Sequence, residues 1–118
     1  MIEKNVITAQ AYYQAMNNKD LAALAQYLHP DVVVTSPLDN VTGKEAVLEA
    51  LKLFVLHFQS LTIRAKGGSG EHVLLAIDVG YPEPIGMFKT AALMTFKDGL
   101  IIRNELFFDA SALKRNKA

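Results

Sequence analysis

The sequence predicts a single α+β domain, in which a cone-shaped, curved antiparallel or mixed sheet wraps around N-terminal helices. The main indication is residues 86–109, which read G-M-F-K-T-A-A-L-M-T-F-K-D-G-L-I-I-R-N-E-L-F-F-D. Two apolar, β-rich runs meet there at Asp98-Gly99, and such a pair predicts a hairpin because Gly adopts a positive φ without a steric penalty. Each arm is longer than the roughly five or six residues of a usual strand, which favours a strongly curved sheet. In the N-terminal third, apolar residues recur at the spacing that is typical of amphipathic helices.

Composition is consistent with one domain over residues 1–118. The hydrophobic fraction is 51% and the mean hydropathy is +0.18. A chain of this length can bury most of its apolar surface in one core. The high apolar content therefore predicts a well-filled core together with a lined pocket or a subunit interface.

Charge and cysteine content argue against several classes of function and of binding site. Lys plus Arg and Asp plus Glu both number 12, so no basic excess favours binding to nucleic acid or to an anionic membrane. Cysteine is absent, which excludes disulfides, thiolate nucleophiles and Cys-ligated metals. The N-terminus lacks the apolar core of a signal peptide, and no run of about 18 apolar residues predicts a membrane span. We expect a cytoplasmic protein.

The N-terminal third predicts two helices and a strand. An i, i+4, i+7 apolar stripe indicates a helix over residues 2–17. Asp20 has the character of the N-cap of a second, short helix. His29-Pro30 is expected to end that helix, because the residue before Pro is disfavoured in the helical region. Residues 31–36 (D-V-V-V-T-S) then predict a short strand.

The middle of the chain predicts a loop over residues 39–43 and a third helix ending near Phe58. Thr42-Gly43-Lys44-Glu45 fits a capping box, in which the Thr and Glu side chains close the first turn. Apolar residues occur on nearly every side of this helix, so we expect it to be buried on more than one side.

Four strands complete the predicted order of helix, helix, strand, helix and four strands. Residues 60–65 and 72–79 are the first two, joined at Gly67–Gly70, and the long hairpin supplies the other two. Helices in the concave face of such a cone cannot fill its wide end, so a pocket is expected there.

These residues resemble a known superfamily. The segment A-Y-Y-Q-A-M-N-N-K-D-L-A-A-L-A-Q-Y-L-H-P-D-V-V-V-T-S-P, the helix start G-K-E-A-V and the closing F-K-D-G-L-I-I-R-N-E-L-F-F-D are similar to nuclear transport factor 2-like (cystatin-like) proteins. The resemblance covers roughly residues 5–110. Its enzyme branches include SnoaL-like polyketide cyclases and ketosteroid isomerases, and the superfamily also contains hydrolases, dehydratases and binding modules. The resemblance implies a conical barrel, a deep apolar pocket and a homodimer formed through the outer sheet face.

Catalytic residues of the ketosteroid isomerases carry over only in part. The resemblance places Tyr12 where those enzymes have the Tyr that donates to the developing oxyanion. Their general-base Asp corresponds to Ser36, and their second oxyanion donor corresponds to Ala92. Proton abstraction beside a carbonyl needs a base of tuned pKa and a donor for the enolate. Two of these three groups are missing, so that chemistry is not expected in its usual form.

Strand alternation then predicts the inner surface. If Ala92 faces inward, as the resemblance implies, its strand contributes Phe88, Thr90, Met94 and Phe96, and the last strand contributes Ile102, Asn104, Leu106 and Phe108. The strand before them would contribute Leu74, Ala76, Asp78 and Gly80.

Asp78 is the main candidate for acid–base chemistry. It lies in an apolar run between two small inward residues, Ala76 and Gly80, which would leave room for a ligand. Desolvation in such a setting disfavours the charged carboxylate and would raise its pKa. Asp78 could then act as a general base or acid opposite Tyr12. The alternative is a strand register shifted by one, with Asp78 on the outer face.

Other candidate ligand-binding residues are less specific. Asp39 lies in the loop over the expected pocket mouth, and His57 near the end of the third helix could reach that mouth. Ser36 occupies the position of the missing base. The three His residues show no i, i+4 spacing, so no metal site is predicted, and no cofactor is expected.

The outer face suggests a second subunit. Phe107 would lie there beside Leu93, Ala91 and Ile101, which predicts a homodimer. Three functions remain open at this point. They are a cofactor-free isomerase, lyase or cyclase acting on a small hydrophobic carbonyl compound, a non-catalytic module that binds a small apolar molecule, and a structural homodimer with a filled cone.

Overall fold

The computed structural model describes residues 2–111, and the side chains from Lys4 onward. Three helices and six strands follow in the order α1 (Ile2–Asn17), α2 (Leu21–Gln26), β1 (Leu28–Thr35), β2 (Asn40–Thr42), α3 (Lys44–His57), β3 (Ser60–Ser69), β4 (His72–Gly80), β5 (Met87–Lys97) and β6 (Leu100–Phe107). None of the helices in this part of the chain is long and apolar enough to cross a membrane.

The strands form one mixed sheet in the order β2-β1-β6-β5-β4-β3. Neighbouring strands are antiparallel except β1 and β6, which run parallel. The helices pack on the concave side, and α1 lies against β3 and β4. The predicted fold class is therefore confirmed.

The N-terminal elements follow local sequence signals closely. Asp20 is the N-cap of α2 as predicted, and its Oδ1 accepts the backbone N–H of Ala23 at 3.1 Å. Helix α2 ends at Gln26, and β1 already begins at Leu28. The predicted stop at His29-Pro30 and the strand start at residue 31 are therefore three residues late. The predicted loop over residues 39–43 contains the short strand β2.

Helix α3 differs from the prediction in its cap and its burial. Its N-cap is Gly43 at φ +94°, and no side chain caps the helix, so the predicted capping box is absent. Only Val47 and Val55 are buried, whereas Leu53 and Leu56 are 62% and 70% exposed. The prediction of burial on several sides is wrong, because α3 contacts the domain along one face only.

The β5–β6 hairpin turns at the predicted Asp98-Gly99 pair, whose φ values are 54° and 78°. A register shift lies between Thr95 and Phe96. This irregularity reverses the alternation near the turn, because an unpaired residue moves each neighbour to the opposite face. Ile101 is consequently fully buried, and its predicted outward position is wrong.

Strand β4 has the opposite register to the one predicted from the sequence. Ile77 lies opposite Thr90, Val79 lies opposite Phe88, and both pairs face inward. Asp78 lies opposite Lys89 on the convex face, and its Oδ2 is 3.7 Å from Nε of Arg64. The predicted inward position of Asp78 is therefore wrong, because a shift of one residue exchanges the two faces of a strand.

The small residues beside Asp78 also have a structural role. A Cβ at Gly80 would collide with the Ser60 hydroxyl on the paired strand. Gly80 therefore accommodates the close approach of β3 and not a ligand. Ala76 pairs with Ala91 on the convex side of the sheet.

Candidate functional site

The concave side of the sheet holds a cavity of about 320 Å³. This volume is at the lower end of the roughly 300–1,000 Å³ typical of small-molecule sites. Helices α1 and α3 line it together with residues from all six strands. Its wall is mostly apolar and includes Met16, Val34, Leu51, Leu61, Ile77, Val79 and Leu106.

Aromatic rings form one side of the cavity. Ring centroids are 6.2 Å apart between Phe54 and Tyr81, 5.4 Å between Tyr81 and Phe88, and 5.8 Å between Phe88 and Phe108. These tilted and edge-on arrangements are the favoured ones for aromatic pairs. The chain of rings links α3, the loop after β4, β5 and the segment after β6 into one apolar wall.

Asn104 and Tyr13 form a polar cluster at the side of the cavity next to α1. Asn104 Nδ2 donates to Tyr13 Oη at 2.9 Å, and Asn104 is only 3% exposed. The Asn104 Oδ1 atom is buried and has no hydrogen-bond partner among the described residues. Buried polar atoms are nearly always paired, so this oxygen marks a position at which a ligand or water atom is expected.

Tyr12 lies beside this cluster and also lines the cavity. Burial, with a smaller contribution from Tyr13, raises the pKa of Tyr12 well above its ordinary value. Burial likewise raises the pKa of Tyr13 to about 12, although the hydrogen bond from Asn104 lowers it in part. Both phenols therefore stay protonated at neutral pH and do not act as bases.

The loop after β1 forms the mouth of the cavity. The Ser36 hydroxyl accepts the backbone N–H groups of Leu38 and Asp39, both at 3.2 Å, and donates to the Asp39 carbonyl. The Asp39 carboxylate accepts the N–H of Asn40 at 2.8 Å and is exposed. Ser36 therefore shapes the loop, whereas the carboxylate of Asp39 stays accessible at the rim.

The structure brings many of the sequence-predicted ligand residues to this cavity. Tyr12 and six of the nine predicted ligand-binding residues lie in its wall, namely Ser36, Asp39, Phe88, Thr90, Asn104 and Phe108. The placement of Phe88, Thr90 and Asn104 follows the predicted alternation in β5 and in the part of β6 beyond the register shift.

The remaining predicted residues lie elsewhere. Asp78 is on the convex face, and His57 is exposed at the end of α3. Met94 and Phe96 face inward, but they are fully packed in the hydrophobic core toward the Asp98-Gly99 turn. The helices fill the cone at that end, so these two side chains pack against protein and not against the cavity.

Sequence reasoning missed two polar wall residues, Tyr13 and Tyr81. Tyr13 belongs to the apolar stripe of α1, and that position by itself indicates core packing. Tyr81 begins the loop after β4, where its ring joins the aromatic chain. A correct register for β4 would also have identified Ile77 and Val79. Within residues 2–111 no group of three or more acidic or His side chains could hold a metal ion.

Comparison with known proteins supports this description. The family profile described as a SnoaL-like domain matches residues 9–104. No curated protein matches the chain significantly.

Solved structures show the same fold at low identity. An NTF2-like protein of unknown function from Cytophaga hutchinsonii is 16% identical over 91% of this chain and 91% of its own, with a TM-score of 0.80. A proposed ketosteroid isomerase from Kribbella flavida is 18% identical over 92% of this chain and 79% of its own, with a TM-score of 0.84. An LEH-like epoxide hydrolase from M. tuberculosis is 18% identical over 97% of this chain and 89% of its own, with a TM-score of 0.81. Identity at this level establishes the shared fold and no shared activity.

Proposed function

The chain belongs to the family of SnoaL-like domains, and on that premise we propose that its cavity binds a small, mostly apolar molecule through one neutral polar group. Members with this fold are described as isomerases, cyclases and epoxide hydrolases, so the family alone does not select an activity. The observation that supports binding is Oδ1 of Asn104, which has no hydrogen-bond partner among the described residues and belongs to the wall of a mostly apolar cavity.

The charges around the cavity favour a neutral ligand. Among the described residues, its wall contains no Lys, Arg or His, and the one carboxylate is that of Asp39 at the mouth. Burial of an unpaired charge is strongly unfavourable. A carboxylate or phosphate would find no cation among these described wall residues and would be repelled by Asp39, whereas a neutral ketone or alcohol avoids both problems.

Calorimetric titration with a matched ligand series tests the proposal. Tetralin, β-tetralone and β-tetralol share a two-ring skeleton that suits the cavity, and a tetralin carboxylate supplies the charged comparison. We expect the neutral compounds to bind with a Kd below about 1 mM, which corresponds to roughly 4 kcal/mol of binding free energy. The carboxylate should bind at least tenfold more weakly.

Two variants of neighbouring residues on β5 provide the control. Thr90 lines the cavity, whereas the next residue on the strand, Lys89, is exposed on the convex face. Thr90→Phe should fill the cavity and abolish binding, and Lys89→Phe should leave the Kd unchanged. Failure of every neutral compound to bind the unmodified protein would reject the proposal.

A second candidate is the isomerisation of a small carbonyl compound, which is favoured by the presence of Tyr12 and Asp39 in one cavity wall. Asp39 would remove a proton from the carbon beside the carbonyl, and the C–H electron pair would form the enolate double bond. The Tyr12 hydroxyl would donate a hydrogen bond to the oxygen of a conjugated enolate until Asp39 returns the proton to a different carbon atom, which completes the isomerisation. No metal or cofactor enters this step.

Loss of deuterium from α-deuterated β-tetralone, followed by NMR, tests this candidate. We expect faster exchange than in buffer, a decrease of roughly 100-fold for Asp39→Asn and a smaller decrease for Tyr12→Phe. Asp98→Asn serves as the control, because Asp98 lies in the β5–β6 turn, away from the cavity. Exchange at the buffer rate would leave ligand binding as the function.

We further propose that the protein forms a homodimer through the convex face of the sheet. A patch of apolar residues crosses β4, β5 and β6 there, and we name it the convex patch: Leu74, Ala76, Ala91, Leu93 and Phe107. Leu74 and Phe107 are 54% and 52% exposed. Contiguous exposed apolar surface of this kind commonly marks an interface.

A further inference from the structure

We propose that Asn104 makes the cavity selective for ligands whose polar group is a hydroxyl, in preference to ethers, ketones and carboxylates. This inference rests on the proposed binding function, and it names the chemical group that the site recognises. Asn104 would be the specificity-determining residue, and Tyr12 would complete the recognition.

Asn104 is held in place by backbone pairing on both sides and by one hydrogen bond of its side-chain amide. Asn104 pairs with Met94 of β5 and with Val34 of β1, so its backbone lies in the interior of the sheet. Its Nδ2 donates to Tyr13 Oη at 2.9 Å. The other polar atom of the amide is Oδ1, which is buried, has no hydrogen-bond partner in the described part of the chain and belongs to a residue that lines the cavity.

An acceptor oxygen in that position requires a donor from the ligand. Ketones and ethers carry acceptors only, so their oxygen atoms would meet Oδ1 without forming a hydrogen bond. A carboxylate likewise has no hydrogen-bond donor, and it also carries a negative charge. A hydroxyl group donates its proton to Oδ1, which removes the unfavourable burial of an unpaired oxygen.

Tyr12 supplies the complementary donor. Its ring is 5.0 Å from that of Tyr13, centroid to centroid, which places it at the same end of the cavity as Asn104. No described residue hydrogen-bonds to the Tyr12 hydroxyl. A ligand hydroxyl can therefore donate to Asn104 and accept from Tyr12, which uses both of its hydrogen-bonding capacities.

The test compares β-tetralol with its methyl ether and with β-tetralone by calorimetric titration. We expect β-tetralol to bind about tenfold more tightly than either analogue, the usual effect of one hydrogen bond to an otherwise unpaired buried group. In Asn104→Leu the preference should fall to within about twofold, because Leu offers no acceptor. Binding of unsubstituted tetralin should be unchanged or tighter in this variant.

Two further variants separate recognition from a structural role. Thr95→Val removes a hydroxyl from the same strand, β5, but outside the cavity wall, and should keep the tenfold preference. Tyr13→Phe conserves the ring but releases Nδ2, so the amide can turn either end toward the ligand. The discrimination between β-tetralol and β-tetralone should then shrink to about twofold, while both still bind.

Three outcomes would overturn the inference. Asn104→Leu could keep the preference for β-tetralol, or the unmodified protein could bind all three compounds equally, as expected if water alone occupies the site beside Oδ1. A preference for β-tetralone would show that the amide presents its N–H groups. Each of these results requires that the compounds bind, whereas absence of binding by the whole series would reject the proposed function itself.

Discussion

The rings of Tyr12 and Tyr13 meet edge to face, with centroids 5.0 Å apart and planes inclined by 85°. Both residues are almost fully buried in α1 against the concave side of the sheet. Two adjacent residues of one helix thus contribute two phenols to the same cavity, one bonded to Asn104 and the other available to a ligand. Their shared burial raises both pKa values.

Alkaline pH should destabilise the protein through these phenols. In the unfolded chain a tyrosine ionises near pH 10, whereas the pKa of Tyr13 in the folded protein is about 12. Between these values the unfolded state binds fewer protons, so the free energy of unfolding falls by up to about 1.4 kcal/mol per pH unit for each such group. Below pH 10 neither phenol contributes to the pH dependence.

Urea denaturation between pH 7 and pH 12 measures this effect. Tyr13→Phe should show a shallower loss of stability than the unmodified protein above pH 10, and Tyr12→Phe should do the same. Below pH 10 the slope of the free energy of unfolding against pH must be the same for the variants and the unmodified protein. Parallel stability curves over the whole range would contradict the assignment of alkaline sensitivity to these two residues.

Charge in the convex patch should separate the proposed dimer. Phe107→Lys places an ammonium group where two subunits would meet, and burial of an unpaired charge opposes association. Light scattering should give twice the chain mass of 13.0 kDa for the unmodified protein and a single chain mass for the variant. Leu53→Lys is the control, because Leu53 is 62% exposed on α3 and lies outside the patch. An unmodified protein that is monomeric at high micromolar concentration would end this proposal.

Asp78 should be dispensable for ligand binding. Its carboxylate lies on the face of the sheet opposite the cavity, and its contact with Arg64 joins two partly exposed side chains. Pairs of this kind contribute about 0–1 kcal/mol, so Asp78→Asn should change the free energy of unfolding by no more than that. The Kd of β-tetralol should stay within twofold of the original value. A tenfold loss of affinity would show that the convex face communicates with the cavity.

The turn between β5 and β6 depends on Gly99. Its φ of 78° lies in the left-handed region, which is unfavourable by roughly 1–2 kcal/mol for a residue with a Cβ. Gly99→Ala should therefore lower the free energy of unfolding by about 1 kcal/mol. Gly67→Ala is the matched control, because Gly67 is exposed in β3 and an added Cβ meets no atom within 4 Å. Equal stability of the two variants would contradict this explanation.

Local sequence signals determined the helices, most of the strands and the main turn. Asp20 caps α2 because a short acceptor side chain before an apolar run satisfies a free N–H group. Asp98-Gly99 closes the long hairpin because these residues tolerate positive φ. Such signals depend on a few neighbouring residues, so they are legible without knowledge of the rest of the chain.

The positions of the site residues depend on longer-range pairing. Strand β4 has apolar residues in both of its alternating sets, so alternation alone does not decide which set faces inward. Pairing with β5 places Ile77 and Val79 in the cavity wall. Asp78 then lies on the convex face, where its side chain is 26% exposed. A hypothesis that required Asp78 inside would have buried a carboxylate with no nearby cation.

Tertiary structure alone brings Asn104 to Tyr13, across 91 positions of the sequence. The amino-acid sequence determined that β6 would present Asn104 inward and that α1 would carry two adjacent tyrosines. Only the packing of α1 across the sheet decided which phenol bonds to the amide and which amide oxygen remains unpaired. The physical reason is that a hydrogen bond forms within about 3 Å, and this distance is set by how helix and sheet pack together rather than by either segment.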